Sequence, residues 1–174
     1  IVTELASSKH LQNILEMEKN NISLPNWNPT KKIICIYGLA SAMKYLHSNE
    51  IMHRQLMPKN ILIDQYFHPK LRNFGICTHL INLTSMASIS SSKIQDAYVY
   101  SAPEILCFEE FTKACDVYSF AFIVYEIISG QKPFNDLIDY SQIYKEVVTK
   151  GNRPNISSNI PNCYKKMIEK STSI

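Results

Sequence analysis

The sequence predicts a mainly α fold with a few short β-strands. Three observations predict it. Apolar residues recur at helical spacing from Ile33 to His47. A nearly all-apolar helix runs from Asp116 to Ser129. Two short apolar runs, Ile51-Met52 and Ile61-Leu62-Ile63, flank one polar loop. The length suits this class: 174 residues and 20.0 kDa make one domain or one large subdomain. Such a chain can bury roughly 70% of its unfolded surface.

The elements follow in order. Ile1 to Thr3 reads as a strand already under way, so the chain is expected to be a piece of something longer. A polar turn at Ser7-Ser8 leads into a short helix at Leu11 to Met17. Asn26 to Thr30 reads as a loop holding Pro29. In the helix from Ile33 to His47, Ile36, Leu39, Ala40, Met43 and Leu46 share one face, with Thr30 as N-cap. Lys70-Leu71 forms a third short strand. Ser85 to Lys93 (SMASISSSK) is a low-complexity stretch expected to be a mobile loop, with Ser88, Ser90, Ser91 and Ser92 as candidate phosphorylation sites. The helix from Asp116 is apolar nearly all round and is therefore expected to be buried. Asp116 is expected to cap its start and Gly130 to end it. Two amphipathic helices, 140–149 and 161–170, close the chain, separated by Gly151 and Pro154.

Composition excludes several function classes. Lys and Arg number 18 against 15 Asp and Glu, a net charge of +3 scattered along the chain. That excess is too small for a phosphate-backbone binder, so no nucleic-acid partner is expected. Only 4 glycines occur, which excludes a glycine-rich phosphate loop. The longest apolar run, Phe120 to Ile128, is broken by Glu126 and falls far short of the ~20 residues that cross a membrane. The 5 cysteines are widely spaced with no CxxC pair, which points to reduced thiols and a cytoplasmic protein rather than zinc or disulfides. The sequons at Asn21, Asn82 and Asn155 carry little weight without a secretion signal.

The informative segment is His53-Arg54-Gln55-Leu56-Met57-Pro58-Lys59-Asn60. After it come Asn73-Phe74-Gly75, Ala102-Pro103-Glu104 and Asp116-Val117-Tyr118-Ser119-Phe120. In this order they resemble the catalytic loop, metal-loop triplet, end of the activation segment and central helix of a eukaryotic protein kinase, whose patterns are H-R-D-L-x-x-x-N, D-F-G and A-P-E. The run DVYSFAFIVYEIISGQKPF and the GNRP at 151–154 resemble the tyrosine-kinase-like group. The resemblance implies a protein-kinase-like C-lobe with the small lobe largely absent. Residues 1–8 would be the last small-lobe strand and hinge. Residues 9–174 would be the helical large lobe, truncated before its final helix. It also implies a vestigial nucleotide site: Thr3 as gatekeeper, Glu4 to Ala6 as hinge and Leu62 as the floor under the base. His53 and Phe74 would stack in an apolar spine. Asp116 would brace the catalytic loop, and Arg54 would face a phosphate on the activation segment. Glu104 would lack its arginine partner.

The pattern also breaks. Gln55 stands in the place of the catalytic aspartate, and its amide is a negligible base; losing a general base costs about 10²–10⁴-fold. Asn73 stands in the place of the metal-binding aspartate and brings no formal charge. Met57 replaces the loop lysine, and Ala97 a supporting threonine. Asn60 is retained as a weak metal ligand. On this resemblance the chain is expected to be a pseudokinase and not an enzyme, with no catalytic residue intact. It would work as a scaffold for protein partners such as an active kinase, with no membrane partner. No cofactor is required on this reading, and ATP and Mg²⁺ are doubtful ligands. The alternatives are a residual serine/threonine or tyrosine phosphotransferase, or a non-catalytic ATP-binding module, within a longer chain.

Overall fold

The computed structural model describes residues 9–22, 24, 26–73, 97–137 and 139–173. Thr3, Glu4, Ala6, Phe74, Gly75 and the serine-rich stretch lie outside them, as does the strand expected at Ile1 to Thr3. Among the described residues the fold is mostly helical with one small sheet. Strand β1 (Lys9–His10) leads straight into α1 (Leu11–Lys19) and α2 (Pro29–Ser48). A single 3₁₀ turn (Pro58–Asn60) precedes β2 (Ile61–Ile63) and β3 (Pro69–Leu71). Then come α3 (Pro103–Leu106), α4 (Lys113–Ser129), α5 (Tyr140–Tyr144) running into a π turn (Lys145–Thr149), and α6 (Asn162–Thr172). The sheet order is β1-β2-β3, all antiparallel, with Lys9 opposite Ile63 and Ile61 opposite Leu71.

Four sequence expectations are corrected here. Helix α2 starts earlier than its periodicity implied. Its N-cap is Asn28, whose side chain accepts from the Lys31 N–H at 3.1 Å, not Thr30. Pro29 opens the helix, because a first-turn N–H has no partner to lose. Ile51-Met52 is not a strand; the Ile51 N–H goes back to the Leu46 carbonyl and closes α2. Helix α4 starts at Lys113 with Thr112 as N-cap in a capping box with Cys115. Asp116 is therefore no cap but a first-turn residue, free to serve another segment. The end of α4 is as expected: Gly130 takes a left-handed φ of 69°.

Helix α4 is the centre of the core. Phe122, Ile123, Val124 and Ile127 are fully enclosed, and α2 and α6 pack against it. Strand β3 lies along α2 at Gly38. A Cβ added there would meet the Pro69 ring at 2.6 and 2.7 Å. We expect Gly38→Ala to destabilise the fold by about 1–3 kcal/mol, because overpacking against a rigid ring outweighs the ~1 kcal/mol gain in helix propensity. Denaturant midpoints would check this; an unchanged or raised midpoint would overturn it.

Candidate functional site: an amide chain hung from a buried carboxylate

The site is built on Asp116. Its carboxylate is fully buried. It accepts from the His53 N–H at 2.8 Å, the Arg54 N–H at 2.9 Å and the His47 Nε2–H at 3.0 Å. These bonds hold Arg54 at φ 67°, the left-handed region that non-glycine residues avoid. The chain reverses there and presents Gln55.

Gln55, Asn60 and Asn73 then form a chain of amides. The Asn60 Nδ2 donates to the Gln55 backbone carbonyl at 2.7 Å and reaches its Oε1 at 3.5 Å. The Asn73 Nδ2 donates to the Asn60 Oδ1 at 3.2 Å. Three positions singled out from two separate motifs are thus joined in space. The 3₁₀ turn seats Asn60, and its backbone carbonyl also receives the Arg72 N–H at 3.0 Å. The donor set does not suit Mg²⁺. The Asn60 oxygen already accepts a hydrogen bond, the remaining oxygens are neutral, and hard cations prefer carboxylates. Among the described residues no group of three His, Cys, Asp or Glu could hold a metal.

The other site residues divide clearly. His53 is buried, and its Nδ1 accepts from the Gln55 N–H at 3.3 Å. Met57 is buried in the core, so its thioether is a packing group. Leu62 sits half-buried in the middle of the sheet. Arg54 is exposed. Glu104 accepts from the Cys115 thiol at 3.2 Å, a partner that spacing did not suggest. Burial, with this carboxylate opposing ionisation, pushes the Cys115 thiol up to about 11.

Sequence reasoning missed several contributors. His47 joins Asp116 from α2. His10 donates its Nδ1–H to the Lys59 carbonyl at 2.8 Å and ties β1 to the loop. Tyr100 donates to the Glu126 carboxylate in a buried hydrogen bond. That pair borders a cleft of about 360 Å³ between α1, the loop at Met57 to Lys59 and the end of α4. Arg153 lies over the Tyr118 ring, 5.4 Å from its centroid, and donates to the Thr172 carbonyl at 2.9 Å. Glu126 and Arg153 were legible only as parts of longer motif runs.

Burial holds the His53 imidazole below its usual range, against the opposing pull of Asp116. The unfolded chain therefore binds the proton more readily. The stability this group contributes is fully present above about pH 6.5 and is lost as pH falls through the lower folded value. We expect stability to drop between pH 7 and 5, and His53→Phe to flatten that slope. Urea unfolding at a series of pH values would check it; an equal slope in the variant would overturn it.

Comparison with known proteins gives the wider frame. Residues 1–173 match the family model described as protein tyrosine and serine/threonine kinase. The chain is 30% identical to a serine/threonine-protein kinase/receptor of Acanthamoeba polyphaga mimivirus, over 98% of this chain and 10% of that protein. It is 30% identical to the dual specificity protein kinase pyk3 of Dictyostelium discoideum, over 98% of this chain and 12% of that one. It is 36% identical to a protein kinase and PP2C-like domain-containing protein of Oryza sativa subsp. japonica, over 68% of this chain and 20% of the relative. The chain thus spans between 10% and 20% of the length of these relatives. These matches correct the expectation that the chain is not an enzyme: the family model and the relatives' names are those of phosphotransferases. No helix among the described residues is long and apolar enough to cross a membrane.

Proposed function

Because this chain belongs to the protein tyrosine and serine/threonine kinase family, we propose that it is the helical large-lobe part of a kinase domain retaining slow phosphoryl transfer to protein hydroxyls. The DVYSF run and the GNRP segment support placing it in the tyrosine-kinase-like group. The observation that carries the reading is the amide chain from Asn73 through Asn60 to Gln55, aimed by Asp116.

Phosphoryl transfer proceeds through a loose transition state, so positioning and charge stabilisation supply most of the catalysis. Positioning is what this loop retains. The Gln55 Oε1 can accept a hydrogen bond from a substrate hydroxyl and orient it. It cannot take the proton, so the proton leaves late, to a phosphoryl oxygen or water. Loss of the base alone costs about 10²–10⁴-fold from a family rate of ~1–100 s⁻¹, which sets a ceiling of about 10⁻⁴ to 1 s⁻¹ that the neutral Asn73 and the missing loop lysine lower further. The proposed nucleotide contacts are Thr3, Glu4 and Ala6, with Leu62 beneath the base.

The test is single-turnover transfer of labelled γ-phosphate by the full-length gene product to a mixed Ser/Thr/Tyr peptide pool. Slow incorporation at or below that ceiling supports the reading. Incorporation no greater than a protein-free blank overturns it. A rate typical of the family would remove Gln55 from the role assigned to it.

A further inference from the structure

One face of α2 has no function in the site described above. Ile33, Tyr37, Ser41 and Tyr45 recur at intervals of four residues along it, a ridge of about 18 Å. Their apolar members are strongly exposed: Ile33 by 52%, Tyr37 by 74% and Tyr45 by 68%. Tyr66, 60% exposed, stands beside the first turn of the helix, where its carbonyl meets the Lys31 Nζ at 3.4 Å. Large side chains of a monomer are seldom left this open in a row, and tyrosine is a preferred residue of binding hot spots.

The charge around the ridge has one sign. Helix α2 carries Lys31, Lys32 and Lys44 and no Asp or Glu from Pro29 to Ser48. Of the nearby carboxylates, Glu18 neutralises Lys32 at 2.5 Å, which leaves Lys31 and Lys44 to set the sign of the ridge; Glu50 pairs with Lys113 at 2.8 Å, and Asp64 bonds the backbone of its own turn and lies 3.4 Å from His68. Among the described residues, the Lys31 Nζ meets the Tyr66 carbonyl and the Phe67 ring, 5.5 Å from its centroid, and no carboxylate. Lys44 is exposed, and no carboxylate pairs with it among the described residues.

We infer that this face of α2 docks an acidic amphipathic helix of a partner protein, whose apolar residues at i and i+4 lie along Ile33, Tyr37 and Tyr45. An i±4 row inclined to the helix axis is the kind of ridge against which one partner helix packs. The sign of the charge decides against a second copy of this chain, because self-pairing sets lysine against lysine in either direction. It also decides against a lipid surface, which calls for a cluster of about 4–8 Lys and Arg. This inference does not rest on the phosphotransfer reading.

The experiment is selection of a displayed library of helical 16-residue peptides on the full-length protein, followed by affinity measurement for the selected peptides. The expected winners carry Asp and Glu beside apolar residues at i and i+4. Tyr37→Ser/Tyr45→Ser should weaken them at least about tenfold while leaving the thermal midpoint in place. Lys44→Glu should shift the selected charge away from acidic. Four results would overturn the inference: no enrichment, enrichment of basic peptides, retention by the double tyrosine variant, or dimerisation or binding to phosphatidylserine vesicles abolished by that same variant.

Discussion

The Gln55→Asp/Asn73→Asp double variant is expected to transfer phosphate about 10²–10⁴-fold faster than the natural protein, and to need Mg²⁺ for the gain. The geometry gives the reason. In the natural chain the Asn73 amide fills the acceptor of Asn60 at 3.2 Å. A carboxylate at position 73 removes that donor and sets two acceptor groups facing each other. Such a pair favours a cation between them, and a carboxylate adds the charge that a hard cation prefers. Position 73 has a φ of 63°, a conformation that Asp tolerates almost as well as Asn, so the backbone need not move. A carboxylate at position 55 supplies a base where an amide could only orient. The two changes act on one unit, so each alone should recover much less than the pair. The measurement is initial rate with and without Mg²⁺ on the full-length protein. A double variant no faster than the natural chain would show that the loop lacks the role proposed for it.

Asp116→Ala is expected to cost about 3–5 kcal/mol, the largest stability effect of any single change in the site. The carboxylate is fully buried and accepts three hydrogen bonds, two of them from backbone N–H groups. Truncation leaves those two donors with no acceptor, at about 1–3 kcal/mol each. It also frees Arg54 from the hydrogen bond that helps hold its left-handed φ of 67°. At about 2–4 °C per kcal/mol for a chain of this size, the melting point should fall by roughly 10 °C. Asp116→Asn should cost less, because one amide oxygen can still accept from one backbone N–H. Thermal unfolding of both variants is the check. A loss under 1 kcal/mol for Asp116→Ala would mean that the loop holds its shape without the carboxylate.

Much of the fold was legible in the sequence because its signals are local. The apolar periodicity of α2, the all-apolar character of α4 and the left-handed stop at Gly130 need no knowledge of distant residues. The errors sit where a local signal had two readings. Pro29 reads as a loop residue or as a first-turn residue, and only the Asn28 cap decides. Ile51-Met52 reads as a strand by composition, but among the described residues no strand pairs with it, and the Ile51 N–H closes a helix. Asp116 reads as a cap, yet Thr112 and Cys115 already do that work one turn earlier.

The sequence by itself determined the family, the order of its motifs and the identity of the three amides. Those properties are carried by residue type and spacing. Only the tertiary structure decided how they act together. Asp116 meets His53 and Arg54 across 63 and 62 positions of chain, and Asn73 meets Asn60 across a sheet turn. Contacts at such separations leave no periodicity, because they form only when packing of α4 against α2 brings the segments together. The same holds for the ridge on α2. Helical spacing shows that Ile33, Tyr37 and Tyr45 share a side of the helix, but only the packed fold shows that this side was left uncovered.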